Sequence, residues 1–331
     1  MNTTAFSTRL VTSVTSFDRA RSERFQQQVD GTGGVPGSGQ RALVLGGGGS
    51  AGNAWLIGVI AGLVAGGLDV TQADVIIGTS AGSTAAAQVS TVSPARLMAD
   101  ILAAAPPHRP GPAGADGGRT RRGPAGDHLR RTSDIIAAAH DATDMRRRLG
   151  AAAVKLHAAS DGSGSAQWRA TVAARLPSSH WPQRPVLITA VDAHTGEPVV
   201  FDRHSGVDLV DAVAASTSSG PPFALGDDLY IDGGYRRSSE NADLAAGYGR
   251  VLVLSPLGGR SRAPLEWGMQ LGVQVEELRA GGSSVHSVLP DSDSRAAFGT
   301  DLMDVSTRPS VARAGYAQGR ALVEQLTEFW G

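Results

Sequence analysis

Two serines of this chain lie in the pattern Gly-x-Ser-x-Gly, in which a serine between two glycines can act as a nucleophile. Ser80 is the central residue of GTSAG at residues 78–82, and Ser50 is the central residue of GGSAG at residues 48–52. A serine hydroxyl attacks an acyl carbonyl when a base removes its proton and amide donors hold the oxyanion. Because both serines fit the pattern, their surroundings must decide between them.

Ser80 has the surroundings of a nucleophile. The apolar run at residues 75–77 predicts a buried strand, Gly78 permits a sharp turn, and a helix is predicted to begin at Ala81. This arrangement is a nucleophile elbow, which exposes the serine hydroxyl at the N-terminus of a helix. Side chains at Gly78 or Gly82 would collide with the neighbouring strand and helix. The free amide of Ala81 would favour a developing oxyanion.

The sequence around Ser50 predicts a different role. Residues 46–52 read GGGGSAG, and four successive glycines expose backbone N–H groups, as in an anion cradle. Gly52 is the last turn glycine of this loop. The candidate oxyanion donors are the four backbone amides of Gly47, Gly48, Gly49 and Ala81. We expect the two serine loops to lie side by side at the carboxyl edge of one sheet, so that a nucleophile meets amide donors there.

Asp232 is the candidate base. It follows the strand-like residues 229–231 and precedes two turn glycines, Gly233 and Gly234. An Asp-Gly pair is also common in simple turns, so Asp232 gains a chemical meaning only if it lies beside Ser80. In that position it would accept the serine proton directly.

His286 is the alternative base. Of the eight histidines, it alone follows Asp232, as the order serine, acid, histidine of α/β-hydrolases requires. It lies in GGSSVHSV, which we interpret as a loop that carries a solvated histidine. A two-residue site of serine and aspartate is therefore favoured over a triad.

The glycine loop also admits a nucleotide-binding interpretation, because residues 47–52 fit the pattern GxGxxG. A Rossmann site requires an acidic residue at the end of the second strand, about twenty residues after the motif. Here the second predicted strand ends in Gly-Thr-Ser, and Asp69 precedes that strand. An NAD- or FAD-binding α/β protein remains an alternative, as does a catalytically silent lipid-binding α/β domain.

The elements that position these residues alternate along the chain. Short β-branched runs are followed by longer alanine-rich stretches, which predicts an α/β fold with a parallel sheet covered on both faces. The predicted strands are residues 42–45, 75–77, 186–190, 199–201, 229–231 and 251–254. The predicted helices are residues 53–65, 81–90, 94–104, 134–139, 167–175, 207–215, 265–280 and 309–329.

Composition narrows the class of protein. The chain has 331 residues, of which 41% are hydrophobic and 18% are charged, enough for a large buried core. Its 30 basic and 31 acidic residues leave a net charge of −1, so no electrostatic case arises for a nucleic-acid partner. With no cysteine, the chain has neither disulfides nor cysteine metal sites, which is compatible with a reducing compartment.

Two segments are expected to lie outside the folded core. Residues 1–40 lack the apolar core of a signal peptide and predict a disordered N-terminal tail. Residues 106–127, rich in Pro, Gly and Arg, predict a mobile surface insertion. The apolar run at residues 54–68 is too short to span a bilayer and predicts a buried helix. We therefore expect a cytoplasmic protein, with peripheral membrane contact as an option.

Three motifs in this order, GGGSAGNAWLIGVI, GTSAGS and DGG, resemble the signatures of the patatin-like phospholipases: the oxyanion loop, the GxSxG elbow and the DG[GA] base. Residues 208–223 resemble the helix and proline turn before the DGG strand, and residues 240–242 resemble the segment after it. The resemblance covers about residues 41–255. Three ordered motifs are far more specific than any one of them.

The resemblance implies a three-layer α/β/α sandwich with a mainly parallel central sheet, occupying residues 41–331. It further implies a Ser80–Asp232 dyad that cleaves acyl esters of lipids (phospholipid, lysophospholipid or neutral acyl ester) through an acyl-enzyme intermediate, without metal or cofactor. The enzyme type would be phospholipase A, lysophospholipase or esterase. One departure is Ala51, where the family often carries Arg or Lys. The absence of this positive charge bears on the preference for phospholipids more than on hydrolysis itself.

Overall fold

A computed structural model describes residues 39–104 and 124–331 of the chain, with the backbone alone for residues 124–126. The expected tail at residues 1–40 lies outside the described residues except for its last two. The expected insertion at residues 106–127 lies outside them up to residue 123. A helix begins at Pro124, so the last four residues of that segment are helical.

Eight strands of the described residues form one sheet. Their bounds are β1 Arg41–Leu45, β2 Val75–Gly78, β3 Val186–Asp192, β4 Pro198–Phe201, β5 Phe223–Leu225, β6 Asp228–Asp232, β7 Arg250–Leu254 and β8 Ser284–Val288. The strand order is β5-β6-β3-β2-β1-β7-β8, and β4 pairs with β3 outside this order. Strands β3, β2, β1, β7 and β8 run parallel, whereas β4, β5 and β6 pair antiparallel. The predicted mainly parallel sheet is confirmed.

The described residues also form eleven α-helices. Their bounds are α1 Gly49–Ala65, α2 Ala81–Val89, α3 Pro94–Ala103, α4 Pro124–Ala137, α5 Ala142–Ala158, α6 Ser163–Ala173, α7 Leu209–Ser216, α8 Leu271–Ala280, α9 Ser292–Phe298, α10 Arg308–Ala321 and α11 Val323–Trp330. Within the described ranges, no helix combines the length and apolar character needed to cross a membrane.

Helices cover both faces of the sheet, because successive side chains of a strand point to opposite faces. Leu43 and Leu45 of β1 belong to a buried cluster with side chains of α1, α2, α7 and α10. Ala42 and Val44 of the same strand face the other way and pack in a cluster with α8. The α/β/α arrangement expected from the sequence follows from this alternation.

The structure corrects the sequence-based assignment in several regions. Strand β5 and helix α9 were not predicted, and the predicted helix at residues 265–280 is a short turn, Leu265–Trp267, followed by α8. The interpretation of the segment around His286 as a loop is wrong, because Ser284–Val288 form the edge strand β8. An edge strand buries few side chains, and in β8 only Val285 and Val288 are buried. Its other residues are polar, so the sequence lacks the apolar run that predicts a strand. Helix α5 was not predicted either, although Asp141 caps its N-terminus and Met145 and Leu149 recur at helical spacing on its buried side. The basic residues 146–148 lie on this helix.

Candidate active site

The two glycine-containing loops leave the sheet side by side. β1 and β2 pair in parallel with Leu45 opposite Gly78, so the loops that follow the two strands begin at the same edge of the sheet. One loop leads into α1 and the other into α2, which begins directly after Ser80. A Cβ atom at Gly47 would lie only 3.3 Å from the Cβ of Ser80. The glycine loop therefore packs its bare backbone against the serine.

Ser80 has a strained backbone conformation. Its φ of 52° lies in the left-handed region, which only two non-glycine residues of the described chain adopt. The amide of Ser80 donates to Ser216 Oγ at 2.9 Å, and its carbonyl accepts from Ser83 Oγ at 2.6 Å. These bonds hold the turn, since strain of about 1–3 kcal/mol persists only where the surroundings fix it.

Glycines flank Ser80 because the turn leaves no space for side chains. A Cβ atom at Gly82 would overlap the carbonyl oxygen of Leu45 in β1. A Cβ atom at Gly78 would lie 2.7 Å from the carbonyl oxygen of Gly82 and from the Cα of Ser83. The steric role expected of both glycines from the sequence agrees with these distances.

Asp232 lies within hydrogen-bond distance of Ser80. Ser80 Oγ donates to Asp232 Oδ2 at 2.8 Å, and the amide of Gly234 donates to Asp232 Oδ1 at 2.8 Å. Asp232 is the last residue of β6, which runs antiparallel to β3 and pairs Asp232 with Ala190. Because β3 extends beyond the end of β2, the end of β6 lies level with Ser80. At this distance a proton can pass directly from Ser80 Oγ to Asp232 Oδ2 without a bridging water molecule.

Burial changes the acidity of Asp232. The residue is 7% exposed, and burial raises the pKa of its carboxyl from an ordinary 3.8 to about 6. The hydrogen bonds from Gly234 and Ser80 and the positive charge of Arg262 act in the opposite direction and lower this pKa. The carboxyl is thus ionised at neutral pH and is a stronger base than an exposed aspartate.

Asn241 joins the two segments that carry Ser80 and Asp232. Its side-chain Nδ2 lies 2.9 Å from the carbonyl oxygen of Gly233, 3.0 Å from Thr79 Oγ1 and 3.2 Å from Thr189 Oγ1. Asn241 is fully buried and is the second non-glycine residue with positive φ. The residues around Asn241 in the sequence do not predict this role, because its three partners are far apart along the chain.

The amides of the glycine loop divide into two groups. Within the described chain, the amides of Gly48, Gly49 and Ala81 have no hydrogen-bond acceptor, as oxyanion donors require. The amide of Gly47 instead donates to the carbonyl of Ser239 at 2.8 Å. The expectation that Gly47 is an oxyanion donor is therefore wrong, because this bond occupies its N–H group and fixes the loop.

Residues far along the chain hold the first turn of α1. The amide of Ala51 donates to the carbonyl of Leu302 at 2.9 Å. Arg308, at the start of α10, donates from Nη1 to the carbonyl of Ser50 at 2.8 Å and from Nη2 to Asn53 Oδ1 at 3.0 Å. We call these bonds from Arg308 the Arg308 clamp, and Ser50 is one of the residues that it holds. Gly52 continues α1, because its amide donates to the carbonyl of Gly48.

The alternative base lies far from this site. His286 is in β8, and four strands separate β8 from β6 in the sheet. Its half-buried ring packs against Phe329 of α11 with ring centroids 5.6 Å apart, so it is not a solvated loop histidine. At about 4.8 Å between neighbouring strands, His286 is far too distant to act with Ser80.

The surroundings of the GxGxxG segment differ from those of a dinucleotide site. β2 ends at Gly78, and Thr79 and Ser80 follow it where a ribose-binding carboxylate would be needed. Asp69 instead caps the short turn Val70–Gln72, where its side chain accepts from the amide of Thr71 at 3.0 Å. Among the described residues, the end of β2 therefore offers no carboxylate for the ribose of a dinucleotide.

In a comparison with protein families, residues 43–246 match the family described as patatin-like phospholipase. This range contains the glycine loop, Ser80, Asp232 and Asn241. Among curated proteins no significant match is found.

Proposed function

The chain belongs to the patatin-like phospholipase family, a family of lipid acyl hydrolases, and from this premise we propose that Ser80 and Asp232 hydrolyse a carboxylic ester bond of a lipid. The observation that carries the proposal is the 2.8 Å hydrogen bond from Ser80 Oγ to the buried carboxyl of Asp232. The two side chains and the free amides beside them supply a nucleophile, a base and oxyanion donors, the groups that acyl transfer requires.

In the first half of the reaction, Asp232 Oδ2 takes the proton of Ser80 as Oγ bonds to the carbonyl carbon of the ester. The electron pair of the C=O bond moves to oxygen, and the amides of Gly48, Gly49 and Ala81 stabilise that charge. Asp232 then returns the proton to the oxygen of the leaving alcohol as the C–O bond breaks. The acyl group remains on Ser80.

In the second half, Asp232 takes a proton from a water molecule as its oxygen attacks the acyl-enzyme carbon. The same amides hold the second oxyanion. When this intermediate collapses, Ser80 Oγ leaves the carbon and regains the proton from Asp232. A free carboxylic acid is released, and the enzyme returns to its initial protonation state.

The environment of Asp232 suits a direct base. Its pKa of about 6 lies closer to neutral pH than that of an ordinary aspartate, which strengthens the base while leaving it ionised. The pKa of this carboxyl is still far below that of a serine hydroxyl, so proton transfer from Ser80 to Asp232 alone is unfavourable. The oxyanion donors must therefore supply much of the rate, and each typically contributes about 10²- to 10³-fold.

Peripheral contact with a lipid surface is part of the proposal. Met303 and Val305 are 57% and 46% exposed, and they follow Leu302, whose carbonyl binds the first turn of α1. A Cβ atom at Gly49 would lie 2.9 Å from Met303 Sδ, so Met303 borders the glycine loop. A lipid surface would cover these side chains and bring its esters to Ser80.

Labelling with a fluorophosphonate, which phosphonylates activated serines, tests the proposal. We expect one label per chain, located by peptide mass spectrometry at Ser80, and no label in Ser80→Ala. Asp232→Asn should label more slowly because it lacks the base. A label on Ser50, or equal labelling of wild type and Ser80→Ala, would overturn the proposal.

A further inference from the structure

A cavity of about 440 Å³ is lined by residues of helices α4 and α5 and by Ile231, the residue that precedes Asp232. This volume is within the range of about 300–1,000 Å³ that is common for small-molecule sites. Its inner wall is apolar and is formed by Ile135, Leu149, Ala153 and Ile231. An acyl chain that packs against this wall would remove apolar surface from water.

The wall of the cavity is continuous with the segments that hold Asp232. Ile231 precedes Asp232 in β6, and the carbonyl of Ser218, another lining residue, accepts from the amide of Asp232 at 3.0 Å. Tyr235 also lines the cavity, and the negative charge of Asp232 contributes, after burial, to raising the pKa of Tyr235 to about 12. One end of the cavity therefore adjoins the proposed base.

Cationic side chains surround that end. Arg131 lines the cavity, and Arg262 donates from Nη1 to Oγ1 of the lining residue Thr132 at 2.8 Å. His128, which also lines the cavity, has its Nε2 3.5 Å from the hydroxyl of Tyr235, and burial, followed by the charges of Arg131 and Arg262, lowers the pKa of His128. The charge of Arg262 also acts on Asp232. His128 and Arg262 thus lie on the side of the cavity that Tyr235, three residues after Asp232, forms.

Arg131 and Arg262 are exposed side chains without an acidic partner in the described part of the chain. Among the described residues, neither Arg131 nor Arg262 has a carboxylate oxygen within 4.0 Å, and the same holds for Lys155 on the cavity wall. Asp134 is the one acidic lining residue. Guanidinium groups without a carboxylate partner in the described structure, beside an apolar cavity, suit a ligand that joins an anionic group to a hydrocarbon chain, because they bind phosphate in bidentate geometry.

We propose that this cavity binds the hydrocarbon chain of the substrate and that Arg131 and Arg262 bind its anionic group, which makes the protein selective for lipids of net negative charge. The inference rests on the function proposed above and names its substrate class. In a monoacyl glycerophospholipid, the phosphate is only a few bonds from the ester. An anionic group at the arginines would therefore leave the ester carbonyl near Ser80. A choline head group would bring a cation toward the same arginines and bind less well.

The test compares hydrolysis of monomeric eight-carbon lysophospholipids, so that surface charge on an aggregate does not contribute. The substrates are lysophosphatidylglycerol, lysophosphatidylcholine and the p-nitrophenyl ester, all of the same chain length. We expect wild type to show a kcat/KM for the anionic lipid at least about tenfold above that for the choline lipid, as charge-assisted hydrogen bonds allow. Arg131→Gln and Arg262→Gln should each reduce this ratio several-fold.

Arg130→Gln is the matched control, because Arg130 is the neighbouring residue of α4, pairs with Asp127 at 3.3 Å and does not line the cavity. We expect it to retain the wild-type ratio. Ala152→Phe, at a half-buried lining position, should shift the preference among p-nitrophenyl esters toward shorter chains.

Two outcomes separate this inference from the function on which it rests. If wild type hydrolyses the esters through Ser80 with equal kcat/KM for anionic and choline lipids, or if both arginine variants keep the wild-type ratio, the inference is wrong while the hydrolase function stands. If no ester is hydrolysed, or if Ser80→Ala hydrolyses them as wild type does, the proposed function itself fails. In that case, binding of an anionic ether lysolipid that is weakened by Arg131→Gln but not by Arg130→Gln would still support the cavity as a lipid site.

Discussion

Ser80 Oγ and Asp232 Oδ2 lie 2.8 Å apart although the strands that precede them run in opposite directions. Strand β3 lies between them and is parallel to β2 but antiparallel to β6. Ser80 follows the carboxyl end of β2. Strand β6 starts beyond that end and runs back toward it, so that Asp232, its last residue, lies level with Ser80. The base is therefore placed by a reversal of chain direction within the sheet and is buried by the turn that follows.

The raised pKa of Asp232 predicts the pH dependence of hydrolysis. The base must be ionised to accept a proton, so we expect kcat/KM to fall tenfold per pH unit below an apparent pKa near 6 and to level off above it. A pH series from 4.5 to 8.5 with a neutral p-nitrophenyl ester measures this directly. A profile that is flat through this range, or that rises on acidification, would exclude Asp232 as the base.

The same pKa predicts a cost in stability. The pKa of Asp232 is higher in the folded than in the unfolded chain. Between about pH 4 and pH 6 the folded chain therefore keeps a proton that the unfolded chain has already released, so the free energy of unfolding falls as pH rises through this range. Asn at position 232 carries no charge. We expect Asp232→Asn to raise the free energy of unfolding by about 1–3 kcal/mol at pH 7.5.

Urea denaturation of wild type and Asp232→Asn at pH 4.5 and pH 7.5 measures this difference. The gain should be clear at pH 7.5 and much smaller at pH 4.5, where the folded wild-type carboxyl is protonated. A variant that is less stable than wild type at pH 7.5 would show that the ionised carboxyl stabilises the site, against this account.

Asn241 is predicted to position the dyad. Asn241→Gly removes the amide that joins Gly233, Thr79 and Thr189 but tolerates the positive φ, so that backbone strain does not obscure the result. We expect kcat to fall about 10²-fold with KM changed little, since small displacements of reacting groups have effects of that size. Circular dichroism should report an intact fold. Unchanged kcat in a folded variant would remove Asn241 from the account.

Arg308 is predicted to hold the oxyanion loop from a distance. Arg308→Met keeps much of the apolar stem but loses the bonds to the Ser50 carbonyl and Asn53. We expect about a tenfold loss in kcat with a neutral ester, because the amides of Gly48 and Gly49 are then less well oriented. Arg313→Met is the control, since Arg313 is exposed on the same helix. Equal effects of the two substitutions would argue against a clamp.

Local patterns predict those features that depend on neighbours in the sequence. The β1 and β2 runs, the turn glycines around Ser80 and the Asp-Gly-Gly turn are of this kind, and the predicted sheet and most helices follow from them. Edge strand β8 escaped prediction because few of its side chains are buried. Helix α5 escaped it because its buried side is narrow, with only Met145, Leu149, Gly150 and Ala153 buried, and because three arginines interrupt the apolar pattern.

Features that depend on the folded chain could not be predicted in this way. The pKa of Asp232 follows from burial, the use of the Gly47 amide follows from contact with Ser239, and the cation on the loop comes from Arg308, more than 250 positions after Ser50. The sequence shows that Ala51 lacks a charge but gives no sign that Arg308 reaches the same turn. Tertiary contacts of this kind leave no periodic pattern in the sequence.

Fatty acid release by three proteins tests the central claim most directly: wild type, Ser80→Ala and Ser50→Ala. Both serines fit Gly-x-Ser-x-Gly, but only Ser80 lies beside Asp232. We predict that Ser80→Ala loses activity by about 10³-fold or more, as expected on removal of a nucleophile, whereas Ser50→Ala stays within about tenfold of wild type. Substantial fatty acid release by Ser80→Ala, with the loss found in Ser50→Ala instead, would contradict the account.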